Sequence, residues 1–149
     1  HSIAGLSGCL KNLYGVIHNP NKYHANNCSP YAGQIPALEP VKRTSKLAIV
    51  DATRVQYDKG PGLSLYDVGY FGGIIVGTDP VAIDTIGLEI LEHYRSINDK
   101  PPLAKVGHEV KYLKEAAKLG VGADQRSEIE LEVIVTKADG KTYPGELLS

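Results

Sequence analysis

Residues 72–84 read Gly-Gly-Ile-Ile-Val-Gly-Thr-Asp-Pro-Val-Ala-Ile-Asp, and this run constrains the fold more than any other part of the chain. Ile74, Ile75 and Val76 form a short β-branched run suited to a strand buried on both faces, and Gly77 and Thr78 stop it. A helix is predicted to begin at once. Asp79 is placed to cap it, Pro80 fits the first helical position, where an N–H would lack a partner anyway, and apolar spacing continues to Tyr94. The expectation is a strand–turn–helix junction of an α/β fold, in which ligands gather outside the carboxyl ends of strands.

A chain of 149 residues with 42% hydrophobic content is sized for one domain with its own core. Its 16 basic and 17 acidic residues give a net charge of −1, and no Lys/Arg cluster stands out, which argues against a nucleic-acid partner. No apolar run approaches the roughly 20 residues of a membrane span. The chain starts at His1 and contains no methionine, so the expectation is a processed or partial protein whose targeting signal would lie upstream. Cys9 and Cys28 make neither a disulfide framework nor a zinc-type pair; a bond between them stays open for an oxidising compartment.

Along the chain, Leu6, Cys9, Leu10, Leu13 and Ile17 recur at helical spacing and predict a helix over 5–17, with Lys11 and Asn12 off the apolar stripe. Residues 18–40 hold four prolines and no periodicity, and read as a long ordered loop dense in polar groups: Tyr23, His24, Asn26, Asn27, Cys28 and Tyr31. Leu47 to Val50 predict a second strand ending at Asp51. If it is a parallel neighbour of the strand before Asp79, Asp51 and Asp79 face one crevice. Residues 53–71 read as a tyrosine-bearing loop able to fold over it. Val106 to Ala117 predict a helix stopped by Gly120, Leu131 to Val135 a half-buried strand, and residues 142–149 a short arm pairing back.

A helical-wheel projection of residues 80–94 places Asp84 inside the apolar arc, beside Leu88 and Leu91. A carboxylate there needs a partner. It is either bonded to backbone or tyrosine hydroxyls, or it forms the floor of a site. Asp79 is first a helix cap and second a ligand-facing group. His24 and Cys28, with His1 or a carboxylate, offer donors for a divalent metal such as zinc; the plainer reading has His24 bonded to backbone and Cys28 simply buried. Lys11 supplies charge and Asn12 a directed donor for an anionic or carbonyl-bearing ligand, unless they form a solvated helix face.

Five ordered segments carry a family resemblance. After His1 come Gly5-Leu6-Ser7-Gly8-Cys9-Leu10-Lys11-Asn12-Leu13-Tyr14-Gly15 and Tyr23-His24-Ala25-Asn26-Asn27-Cys28-Ser29-Pro30-Tyr31. Then follow Ile49-Val50-Asp51-Ala52, Gly60-Pro61-Gly62 and Gly77-Thr78-Asp79-Pro80-Val81-Ala82-Ile83-Asp84. With these, the chain resembles the later half of the domain-of-unknown-function family 362. The resemblance implies that His1 ends a Lys-x-His motif and that an earlier α/β half is a missing partner. It further implies export by a twin-arginine route and relatives that carry iron–sulfur modules. The repeated Cys-x-x-Cys spacing of such a cluster is absent, so no iron–sulfur centre is expected within this chain.

The resulting expectation is a single α/β domain, three-layered with a short mixed sheet flanked by helices, forming the C-terminal part of a larger protein. Its pocket would bind a small anionic ligand, a divalent metal or a redox cofactor. Lining residues would be His1, Lys11, Asn12, His24, Asn26, Asn27, Cys28, Asp51, Asp79 and Asp84, with Lys11, Asp51 and Asp84 as catalytic candidates. The rival is a non-catalytic exported binding or interaction domain in which the same motifs stabilise loops.

Overall fold

A computed structural model of the chain describes residues 1–134. The α/β class holds, with the strands paired as two antiparallel ribbons among the described residues. β1 (Ala48–Ala52) pairs with β4 (Gly73–Gly77), and β2 (Val55–Gln56) with β3 (Val68–Gly69). The strands expected at Leu47–Val50 and Ile74–Val76 are present, but they pair antiparallel and not as the parallel neighbours that would bring Asp51 and Asp79 to one crevice. Ala48 lies opposite Gly77 and Ala52 opposite Gly73, so Asp51 and the Asp79 turn fall at opposite ends of the ribbon.

Neither strand is buried on both faces. Ala48, Val50, Ala52 and Ile75 turn inward, while Ile49 is 63% exposed, Ile74 65% and Val76 58%. Ile49 and Val76 stand directly opposite each other, so the outward face is a continuous aliphatic patch ending at Asp51.

The helix that follows, α4 (Pro80–Ile97), is the central element and touches β1, β4, α1 (Cys9–Asn12) and α5 (Tyr112–Lys118). Its N-terminus is closed as predicted: Asp79 Oδ1 accepts the N–H groups of Val81 and Ala82 at 2.8 and 2.9 Å. The other oxygen accepts the Ala123 N–H at 2.9 Å and ties a distant loop to the same turn. Asp79→Ala removes three acceptor contacts and is expected to cost about 1–2 kcal/mol in urea denaturation, with faster hydrogen exchange at Ala123.

The core gathers around α4: Val81, Ile86, Ile90, Leu91 and Tyr94 pack with Leu6, Leu10, Tyr14, Tyr112 and Leu113. The helix expected over 5–17 is shorter, an α-turn at Cys9–Asn12 followed by a 3-10 turn at Leu13–Val16. Gly5 explains the late start. Its φ of +72° is left-handed, and a Cβ there would lie 2.3 Å from the His108 carbonyl oxygen, so the backbone turns tightly against the 108–110 segment instead of coiling.

The long loop expected over 18–40 consists instead of 3-10 turns at Pro20–Tyr23, Asn26–Cys28 and Ile35–Ala37 with two short helices, α2 (Tyr31–Gln34) and α3 (Glu39–Thr44). Prolines at the first positions of several of these turns supply the preset φ that makes each a local stop–start. The helix expected from Val106 begins only at Tyr112 and ends before Gly120, whose φ of +68° closes it. Residues 131–134 have no regular structure, and the rest of the expected strand and the arm over 142–149 lie outside the described residues.

Candidate functional site

Four of the residues singled out by sequence line one cleft of about 1040 Å³: Lys11, Asn12, His24 and Asp51. Each comes from a different local device. Lys11 and Asn12 ride on α1, and the Lys11 Nζ lies 4.5 Å from the centre of the Tyr14 ring, a cation–π contact that steadies the long side chain. His24 stands edge-on to the same ring, with centroids 5.3 Å apart, and its Nδ1 lies 3.0 Å from the Pro20 carbonyl oxygen.

Asp51 ends the apolar outer face of β1, where its Oδ1 accepts the Thr53 N–H at 2.8 Å. Hydrogen bonding from Thr53, its hydroxyl first and this N–H second, holds the Asp51 carboxyl below the usual range. Lys42 and Ser45 from α3 and its exit, together with Ser7 and Thr78, complete the polar part of the lining. Sequence reasoning missed Lys42 and Ser45 because their segment lacked periodicity. A three-residue spacing after Pro40, a good helix opener, was the available signal.

Asp84 is not in that cleft. Its Oδ1 accepts the Cys9 N–H at 2.6 Å and its Oδ2 the Leu10 N–H at 2.9 Å. A core carboxylate on α4 therefore caps α1 from 75 positions away in sequence. Gly8 permits the approach, since a Cβ there would collide with Asp84 Oδ1 at 2.0 Å. Burial drives the Asp84 carboxyl up to about 6, outweighing the two N–H donors that favour its charged form. Burial, with Asp84 alongside, also pushes the Cys9 thiol up to about 12, so Cys9 is a protonated thiol at neutral pH and no ready nucleophile.

The Asn26-Asn27-Cys28 motif performs a backbone task. All three residues adopt positive φ, a run that the short polar side chains of asparagine tolerate best. Asn27 Nδ2 donates to the carbonyls of Gly107 at 2.8 Å and Glu109 at 3.2 Å, and Asn26 Nδ2 to that of Ser29 at 3.3 Å. Cys28 is fully buried with its Sγ 3.9 Å from the His24 carbonyl oxygen, and Cys9 and Cys28 are both free thiols.

His1 lines a second pocket, its Nδ1 accepting the Ile3 and Ala4 N–H groups. The sequence reading placed Asp51, Asp84 and His24 around one cavity. Instead Asp51 sits on the wall between two: His24 shares the cleft with it, and Asp84 the second pocket. Among the described residues, no group of three or more His, Cys, Asp or Glu side chains is placed to hold a metal ion. Nor is any helix there long and apolar enough to cross a membrane.

A family profile described as domain of unknown function, DUF362, matches residues 1–89. Those residues include α1, the Tyr-His-Ala-Asn-Asn-Cys segment, β1, β4 and the first half of α4. No curated protein matches the chain, and no solved structure matches it.

Proposed function

The chain belongs to the DUF362 family, and from that premise we propose that the cleft lined by Lys11, Asn12, His24 and Asp51 binds a small organic anion. One observation carries this: Lys11 and Asn12, distant from Asp51 in sequence, share one cleft with it and with His24. Lys11 supplies the charge, Asn12 and the hydroxyls of Ser7, Ser45 and Thr78 supply directed donors, and Asp51 accepts a hydroxyl or amine elsewhere on the ligand. Asp79, Asp84, Asn26, Asn27 and Cys28 lie outside the lining of the cleft and support it through backbone contacts.

Isothermal titration of the full chain with benzoate and with inorganic phosphate tests this. Saturable binding of at least one anion, weakened about tenfold or more in Lys11→Ala, is the expected result. Binding of neither, or binding indifferent to Lys11→Ala, refutes it.

A second reading draws on the outer face of the β1/β4 ribbon. Two-stranded ribbons are marginal alone, and an aliphatic surface with Ile49, Ile74 and Val76 more than half exposed favours coverage by further protein. On this reading the 149 residues form the C-terminal α/β part of a larger, exported protein whose N-terminal half covers that face. Ile74→Ser with Val76→Ser, neither of which lines the cleft, then leaves binding there intact and abolishes co-purification with the N-terminal half; retained co-purification counts against it.

A further inference from the structure

The inner face of the β1/β4 ribbon does not meet α4 along its whole length. Between them lies the second pocket, about 340 Å³, bordered by Ile75, Ile83, Ile90 and Leu91. Asp84 also borders it, but both of its oxygens are already engaged by backbone N–H groups. His1, Arg54 and Gln56 border it as well, yet most of the surface offered is hydrocarbon.

Gly87, in the middle of α4, lines the same space. A Cβ built on it would have no heavy atom within 4 Å, and its φ is not among the positive ones. Neither crowding nor conformation therefore calls for glycine, the least favourable helix-interior residue after proline. Alanine, valine or leucine would stabilise the helix or fill the gap. What glycine does at this position is keep the pocket open, in a class of structure where interiors otherwise close such space. An apolar pocket of this size suits a hydrocarbon group better than water.

We propose that this pocket is a binding subsite for the apolar part of the ligand, a ring or short branched chain of a small organic acid. It shares Ser7, Gly8, Val50 and Asp51 with the cleft. A molecule lying across that wall puts its hydrocarbon at Gly87 and its anionic end toward Lys11. The assignment rests on the anion reading of the cleft and narrows the ligand to an aromatic or branched aliphatic acid.

Methyl-selective NMR of the full chain, titrated separately with toluene and with 2-naphthoate, tests it. The Ile75, Ile83 and Ile90 methyl signals are expected to shift saturably with both probes while those of outward-facing Ile74 and Val76 stay in place. Gly87→Leu should weaken both probes at least tenfold without lowering the melting temperature, and Lys11→Ala should weaken naphthoate alone. If Gly87→Leu melts early, Gly87→Ala is read instead and should weaken both at least threefold. Pocket methyls silent to both probes, or shifts confined to Ile74 and Val76, overturn the subsite. Pocket shifts that persist unchanged in both the Gly87 and Lys11 variants overturn it too. Loss in Gly87→Leu with no effect of Lys11→Ala upholds an apolar subsite and refutes the anionic cleft.

Discussion

Asp84→Ala is expected to destabilise the fold by about 3 kcal/mol in urea denaturation at neutral pH, and to raise hydrogen exchange at Cys9 and Leu10 before other core amides. Both N–H groups of the α1 start lose their acceptor in a buried place, and the nearly inaccessible carboxylate leaves a small void beside Gly8. The acid dependence has a definite sign. The carboxyl titrates near 6 when folded against an ordinary value of 3.8, so the folded state holds the proton more tightly. The contribution of Asp84 is therefore smallest above pH 6, grows as the pH falls through the 6 to 3.8 window, and is complete below it. The stability gap between wild type and Asp84→Ala should widen by about 2 kcal/mol between pH 7 and pH 4. A constant or narrowing gap would show that the group is not buried as described.

Arg95→Ala should be the other costly substitution, at about 3–5 kcal/mol. The side chain is almost wholly buried near the end of α4. Its Nε and Nη2 donate to the Pro101 carbonyl at 3.0 and 2.7 Å, and its Nη1 to the Tyr57 carbonyl at 2.7 Å, with Asp58 Oδ1 3.4 Å away. Removing the guanidinium strands two carbonyls and leaves Asp58 to Lys100, 3.0 Å away. The 57–60 and 98–103 segments should then become sensitive to protease together, which limited proteolysis followed by mass spectrometry reads directly. Arg95→Lys is expected to recover only part of the loss, because one ammonium cannot reach the three directions that the planar fork serves.

Local chemistry was legible in the sequence where partners are neighbours. The Asp79-Pro80 cap, the Ile74–Val76 strand and the stop at Gly120 each depend on a few adjacent residues, and each lies where its signal put it. Asp84 was recognisable as a group needing a partner, but the partner is the backbone of α1, and no side-chain pattern marks a bare N–H. Pairing direction was hidden for a related reason: a β-branched run records burial, whereas the choice between parallel and antiparallel lies in the course of residues 53–72, which periodicity does not reveal. Of the candidate residues, Lys11, Asn12, His24 and Asp51 were brought to one cleft, whereas Asn26 holds the turn it occupies and Asn27 ties that turn to the 107–109 segment. Arg95 raised no expectation, since nothing in its sequence neighbours signals that two loops converge on it.

The course of α4 also bears on how this protein can be divided. The family match ends at residue 89, in the middle of a helix that runs to Ile97. A polypeptide cut there would lose Arg95, the Ala123 N–H that meets Asp79, and the Tyr112 hydroxyl that donates to the Leu6 carbonyl at 3.0 Å. The stretch that the family profile matches therefore depends on contacts from residues beyond it. The matched stretch and the folded unit have different borders, and an expression boundary drawn at the first would split the second.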